Sequence, residues 1–247
     1  MSLLENILGV LYPKICGVCK SGENVKFGLC SACRLKFLKE ADEKCPLCHK
    51  TAPECKCGSD FTKFTKTMIG TKSFLTLTFY ESASKHTNGE RITESLIYAL
   101  KEKCVYVDFF ADIIQRKLLE YFDNAKVDIS DWILTYPPRS GDNFIKYGFD
   151  QSEEIVCLIA KKLGIKYSRC FARYKGGIQK KLSEKERMIN VQTSLVPLKN
   201  RITKGGKYIV FDDIITSGST MITAARYLYF NGAAEVFPIS IARTALR

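Results

Sequence analysis

Tyr208-Ile-Val-Phe-Asp-Asp-Ile-Ile-Thr-Ser-Gly-Ser-Thr220 carries the strongest structural instruction in this 247-residue chain. An apolar run, Tyr208 to Phe211, reads as a buried strand that delivers two adjacent acids, Asp212 and Asp213, at its end. After Ile214 and Ile215 comes a loop of small hydroxyl residues and glycine: Thr216, Ser217, Gly218, Ser219 and Thr220. Met221 to Phe230 then carries apolar residues at helical spacing, stopped by Asn231-Gly232. A strand, a Ser/Thr/Gly loop and a helix start together suit a phosphate. Free backbone N–H groups and the positive end of the helix dipole point at the anion, and glycine lets the backbone come close. Two carboxylates just ahead of such a cradle suit the vicinal hydroxyls of a ribose. The segment therefore reads as a ribose-5-phosphate grip in its required strand-loop-helix context. The plainer reading, a strand followed by an ordinary Ser/Thr helix cap, accounts for the loop but not for the acids.

The same alternation of strand and helix continues on either side. Phe74 to Tyr80 alternates with period two, as a strand does. Arg91–Leu100 and Val105–Phe122 have helical spacing, and Trp132 to Tyr136 is a second buried strand ending at Pro137-Pro138. Ser152–Leu163 reads as a helix with Ser152 at its N-terminal signal and Gly164 as its stop, Ile165–Ala172 as a strand, and Ala234–Ile241 as another. Such alternation predicts a mostly parallel sheet covered by helices on both faces, with ligands bound beyond the carboxyl ends of the strands. Two further segments belong to that edge. Pro137 to Gln151 offers Arg139 and Lys146 to a pyrophosphate. Arg173 to Asn190 holds six basic and two acidic residues around Gly176-Gly177, the composition of a loop that closes over a polyphosphate.

Ahead of this α/β region the chain changes character. Eight of the eleven cysteines fall between positions 16 and 57, as Cys16-x2-Cys19, Cys30-x2-Cys33, Cys45-x2-Cys48 and Cys55-x-Cys57. Two Cys-x2-Cys turns complete a tetrahedral zinc site, and four thiolates leave no position open for catalysis. The spacing predicts two structural zinc ions, one on Cys16, Cys19, Cys30 and Cys33, the other on Cys45, Cys48, Cys55 and Cys57. The second pairing stays open, with His49 as a substitute ligand and an interleaved arrangement as the alternative. About sixty residues with few large apolar groups hold little core, so metal binding supplies their folding energy. Cys104, Cys157 and Cys170 read as small core residues. The division is thus a zinc-ribbon domain over 1–60 and an α/β domain over 61–247.

No run approaches the roughly 20 apolar residues needed to span a bilayer. The apolar start, Met1 to Pro13, has no basic leader and carries Glu5, so a secretory signal is not expected. The expected compartment is the cytoplasm, including the inner face of the cell membrane. The formal charge is +12, and residues 1–60 hold nine Lys/Arg against seven Asp/Glu, so about ten of the excess charges lie in the remainder. That balance favours polyanionic partners: phosphorylated metabolites, nucleic acid, or an anionic membrane face.

Together these features resemble the ComF family, in which a double zinc ribbon precedes a type I phosphoribosyltransferase domain. The resemblance rests on the cysteine ladder, on Gly148-Phe149-Asp150-Gln151, on Arg173 with Gln179, Leu182, Arg187 and Asn190, and on the Asp212-Asp213 loop. It implies the type I phosphoribosyltransferase fold and a site for 5-phosphoribosyl-1-pyrophosphate (PRPP) with Mg²⁺. Asp212 and Asp213 would hold the ribose, Thr216 to Thr220 the 5-phosphate, and Arg139 the departing pyrophosphate. It further implies a part in natural competence, with single-stranded DNA and competence or DNA-processing proteins as partners. Tyr147 and Asp150 depart from the family's usual Arg and Asn. The first departure removes a permanent charge near the pyrophosphate.

Overall fold

The computed structural model describes residues 14–45, 49–51, 55, 74–80, 91–174 and 194–244. Helix α1 is Ser31–Ala41, with Cys30 as its N-cap. Strand β1 (Leu75–Tyr80), helices α2 (Ile92–Glu102) and α3 (Val107–Ala125) and strand β2 (Trp132–Thr135) follow. Next come α4 (Gly141–Tyr147), α5 (Gln151–Leu163), and the short strands β3 (Lys166–Tyr167), β4 (Phe171–Arg173) and β5 (Leu195–Pro197). The last elements are β6 (Lys207–Ile215), α6 (Ser219–Phe230) and β7 (Glu235–Thr244).

Five strands form one sheet in the order β1-β7-β6-β2-β3. Every pairing within it is parallel. Residues of the central strand β6 alternate between two apolar layers, as period-two geometry requires. Ile209 and Phe211 join the core formed with α2, α3 and α5. Tyr208 and Val210 join the core under α6, with Cys170, Phe171 and Leu195 from the small ribbon. The expected α/β architecture, a mostly parallel sheet with helices on both faces behind a cysteine-rich segment, is therefore present.

Several elements differ from the sequence expectation. The segment 165–172 divides: β3 continues the main sheet beside β2, while β4 turns away to pair antiparallel with β5. Period-two reading cannot detect a strand that changes sheets. Helix α5 is capped by Asp150, whose carboxylate accepts the N–H groups of Ser152 and Glu153, so Ser152 lies inside the helix. Cys104 is exposed and Cys157 half-buried; of the three later cysteines only Cys170 is buried. Phe171, an aromatic residue suited by type to stacking, is buried in the core.

The cysteine-rich arm shares the main core. Cys16, Leu29, Cys30, Cys33 and Phe37 pack in one continuous cluster with Leu96, Phe109 and Phe110. The Phe37 ring meets Phe109 and Phe110 edge-on, with centroids 5.6 and 5.4 Å apart. Gly17 allows a close approach: a Cβ there would stand 1.7 Å from the Tyr106 hydroxyl. A polar key completes the junction. Glu40 on α1 is buried, and its carboxylate accepts the N–H of Ile92 at 2.7 Å, the N–H of Thr93 at 2.9 Å and the Thr93 hydroxyl at 2.8 Å. The N-cap position of α2, Arg91, makes no side-chain cap bond. A carboxylate from another helix thus satisfies orphan donors at the positive end of α2. The boundary expected near residue 60 lies outside the described residues.

Candidate functional site

The acids do not sit in a loop beyond the motif strand. β6 runs to Ile215, and Asp212 and Ile214 remain in register with Ser240 and Ala242 of β7. Asp212 and Asp213 are therefore held by the rigid sheet at its carboxyl edge. Beyond them Gly218 adopts φ +77°, a left-handed conformation that glycine tolerates, and α6 starts at Ser219. Gly218 offers no side chain to the first turn of α6, and the Ser217 hydroxyl accepts the Ser219 N–H at 3.4 Å. The Ser217 and Ser219 hydroxyls lie 3.0 Å apart, and the Thr244 hydroxyl donates to the Thr216 carbonyl at 3.0 Å, fixing the loop to the end of β7. A recess of about 20 Å³ lies here, lined by Asp212, Thr216, Gly218, Ser219 and Thr220 among others.

A larger cavity of about 320 Å³ adjoins it and shares Asp212, Ile214 and Thr220. Its walls bring together parts of the chain far apart in sequence: Lys101 from α2, Arg139 and Asn143, Gln151 and Arg173. Within it the two acids have different surroundings. Asp213 is buried; its Oδ1 accepts the Ile214 N–H at 2.8 Å, and its Oδ2 accepts Gln151 Nε2 at 3.0 Å and faces Lys101 Nζ at 3.3 Å. Asp212 receives only the Asp213 N–H, at 2.9 Å on Oδ1, among the described residues. Its carboxyl is pushed up to about 8, first by burial and next by the charge of Asp213, against the pull of Arg173 and Lys101. Burial also lowers the Arg173 guanidinium, opposed by Asp212 and Asp150. Its Nε is buried without a hydrogen-bond partner among the described residues.

Arg139 lines the cavity with two of its five guanidinium donors engaged. Its NH1 group donates to the Phe149 carbonyl and its NH2 group to the Lys101 carbonyl, both at 3.0 Å. The guanidinium also lies over the Tyr147 ring, 4.6 Å from the centroid, and 5.6 Å from that of Phe149. Tyr147 thus acts as a platform for Arg139. Asp150 explains itself similarly: besides capping α5 it accepts the Arg139 N–H at 2.6 Å, so one carboxylate ties the start of α5 to the end of β2. Lys146 lies on α4, whose residues are all at least partly exposed. Residues 175–190 of the basic loop lie outside the described residues.

The cysteines form the second centre. The sulfur atoms of Cys16, Cys19, Cys30 and Cys33 all lie within 4.8 Å of one another, and those of Cys19 and Cys30 are 3.5 Å apart. Four sulfurs at about 2.3 Å from a tetrahedral zinc are separated by about 3.8 Å, so this set fits that ion. Burial opposes ionisation of Cys16, yet the backbone N–H groups of Cys30, Cys19 and Val18 bring it down to about 6. Cys33 is pushed up, by burial first and then by the neighbouring thiols.

The first turn of that centre recurs later in the chain. The Cys16 N–H donates to the Ser21 carbonyl, and the Lys20 N–H returns to the Cys16 carbonyl. The Cys45 N–H likewise donates to the Lys50 carbonyl, and the His49 N–H returns to Cys45. Lys20 and His49 hold the same left-handed position, at φ +64° and +55°. Cys45 and Cys55 are both buried; Cys48 and Cys57 lie outside the described residues.

Sequence reasoning pointed to the acids, the loop and the first cysteine set. It assigned no role to Lys101 or to Gln151, although both meet Asp213. Lys101 is one lysine among many at a helix end, and Gln151 stood only as a letter in Gly148-Phe149-Asp150-Gln151.

No family model matches the chain. The chain is 25% identical over 217 residues to competence protein ComFC of Streptococcus pneumoniae, covering 87% of each. It is 29% identical over 162 residues to ribose-phosphate pyrophosphokinase of Pyrococcus furiosus, covering 62% of this chain and 53% of that enzyme. Among solved structures, adenine phosphoribosyltransferase of Saccharomyces cerevisiae aligns at 19% identity and TM-score 0.36, over 56% of this chain and 68% of that one. Similar to ComFC along most of both lengths, with a four-cysteine centre ahead of a parallel sheet that ends in an acidic pair and a hydroxyl loop, the chain is ComFC-like.

Proposed function

We propose that this protein binds Mg²⁺-PRPP at the carboxyl edge of its sheet and serves in natural competence, the role carried in the name of the competence protein ComFC. The observation that carries the ligand reading is the pair of adjoining recesses. The small one sits at the N-terminus of α6, where the Thr216–Thr220 loop turns its backbone toward an anion; the larger one, across Asp212 and Thr220, is lined by Lys101, Arg139 and Arg173. A ribose between two anionic ends, with hydroxyls toward the acids, satisfies both. Mg²⁺ bound with PRPP would supply neutralising charge at the pyrophosphate. The Thr216–Thr220 loop would hold the 5-phosphate by backbone and hydroxyl donors. The acidic edge would stabilise positive charge developing at the ribosyl carbon, so that any transfer proceeds by positioning and electrostatics. Zinc on Cys16, Cys19, Cys30 and Cys33, and a second ion at the repeated Cys45 turn, would supply folding free energy to the arm.

Calorimetric titration of PRPP into zinc-loaded protein tests this. Saturable binding is expected with Mg²⁺, weakened by its removal and lost in Asp212→Asn/Asp213→Asn. Folded wild-type protein that binds no PRPP would sink the reading.

A second function rests on a different surface. A groove of about 500 Å³ between the arm and the start of α3 has an apolar floor of Ile15, Val25, Phe27 and Val105, rimmed by Lys14, Lys20, Lys26 and Lys103. Four lysines around a half-buried ring, Phe27, suit the phosphate backbone of single-stranded DNA. Binding there should weaken steeply from 50 to 200 mM salt, by about tenfold or more if several phosphates are neutralised. An affinity indifferent to salt would count against it.

A further inference from the structure

The acidic pair is unequal in its surroundings, and the inequality has a functional meaning. Both oxygens of Asp213 are already committed to the protein. Oδ1 takes the N–H of Ile214; Oδ2 takes the Gln151 amide and the Lys101 ammonium. A carboxylate that accepts three donors has little capacity left for a ligand. Asp212, one residue earlier on the same strand, borders both recesses and has no partner on Oδ2 among the described residues.

On the ribose-phosphate reading, we infer that the two acids divide their work: Asp212 meets the ribose, while Asp213 is a positioning residue. Its partners Gln151 and Lys101 become positioning residues with it. Gln151 is the first residue of α5, and more than nine-tenths buried. Its amide nitrogen, directed at a carboxylate, fixes the orientation of the amide, because the oxygen in that place would face a negative charge. Lys101 does two things at once. Its ammonium faces Asp213, and its backbone carbonyl accepts from Arg139. The four residues thus form one linked wall, drawn from α2, the β2–α4 connection, α5 and β6, and Asp213 is the joint at which α2, α5 and β6 meet.

The test is calorimetry with ribose 5-phosphate, a Mg²⁺-independent probe, on full-length zinc-loaded protein. Asp212→Asn should weaken binding about 100-fold, the loss of a charged hydrogen-bond partner, and Asp213→Asn about tenfold or less. A double-mutant cycle gives the readout that a general loss of structure would not. If Asp213 acts through Gln151 and Lys101, Asp213→Ala/Gln151→Ala should bind within about twofold of Asp213→Ala alone, and so should Asp213→Ala/Lys101→Ala. Inorganic phosphate, read in parallel, should still bind every variant saturably, which reports that the α6 loop remains folded. Equal losses in Asp212→Asn and Asp213→Asn, or additive losses in both cycles, would overturn the division of roles while leaving the ribose-phosphate site standing. Wild-type protein that binds neither ribose 5-phosphate nor Mg²⁺-PRPP would remove the site, and the inference with it.

Discussion

Glu40→Ala is expected to lower the stability of the protein by about 3 kcal/mol, because three donors lose a charged acceptor in a buried place. The N–H groups of Ile92 and Thr93 and the Thr93 hydroxyl all end on this carboxylate. Water cannot replace it, since Glu40 and Thr93 are both buried. The effect extends beyond the junction. α2 begins at the Glu40 cap and ends with Lys101 in the cavity wall. Loosening its first turn should therefore also weaken Mg²⁺-PRPP binding, although Glu40 belongs to the cysteine-rich arm. Denaturant unfolding at neutral pH measures the first effect. A loss below about 1 kcal/mol would mean that the junction is held by Phe37 and its aromatic neighbours, with the cap contributing little.

Asp212→Asn should do the opposite for stability while weakening ribose 5-phosphate binding about 100-fold. The folded carboxyl sits at about 8 against an ordinary 3.8, raised by burial and by Asp213, with Arg173 and Lys101 opposing. Between these two values the folded chain holds a proton that the unfolded chain releases. The stabilising contribution of the protonated acid is therefore complete below pH 4 and is lost as pH rises toward 8. Asparagine keeps the acceptor for the Asp213 N–H and carries no charge to bury. The variant should gain on the order of 2 kcal/mol at pH 7, and its stability should vary less between pH 5 and 8. Thermal unfolding across that range, beside wild type, decides it. A variant less stable than wild type at pH 7 would show that Arg173 and Lys101 already stabilise the charged form. Stability given up for a charged ligand-facing group is a common cost of a binding site.

How far the sequence revealed this molecule depends on the range of the interaction concerned. The buried strands and amphipathic helices were legible because burial on a sheet or a helix imposes a local period. The acidic pair and hydroxyl loop were legible because one continuous strand-loop-helix carries all of their chemistry. The first cysteine set was legible from turn spacing alone, and the sulfur positions agree. What escaped is non-local or irregular. Nothing beside Asp213 in the sequence announces that Lys101 and Gln151 will meet it, since α2 and α5 converge there only once the sheet has formed. β5 is too short to show a period, and it takes its partner from β4 across 175–193. Asp150 as cap in place of Ser152 is a choice between two good capping residues two positions apart, and the contact with Arg139 settles it.

The strand order carries a consequence for how the chain is made. Among the described residues β1 has β7 as its sole partner in the sheet, and the Ser240 hydroxyl reaches Thr76 across a sequence separation of 164 residues. At about 5–20 residues per second, a ribosome that has finished β1 needs roughly ten to thirty seconds to deliver its partner. Meanwhile Leu75, Leu77 and Phe79, buried in the finished protein, have no strand to pair with. The nascent chain is therefore exposed to aggregation late in synthesis, and yield should depend on growth temperature and chaperone supply more than the stability of the finished fold suggests.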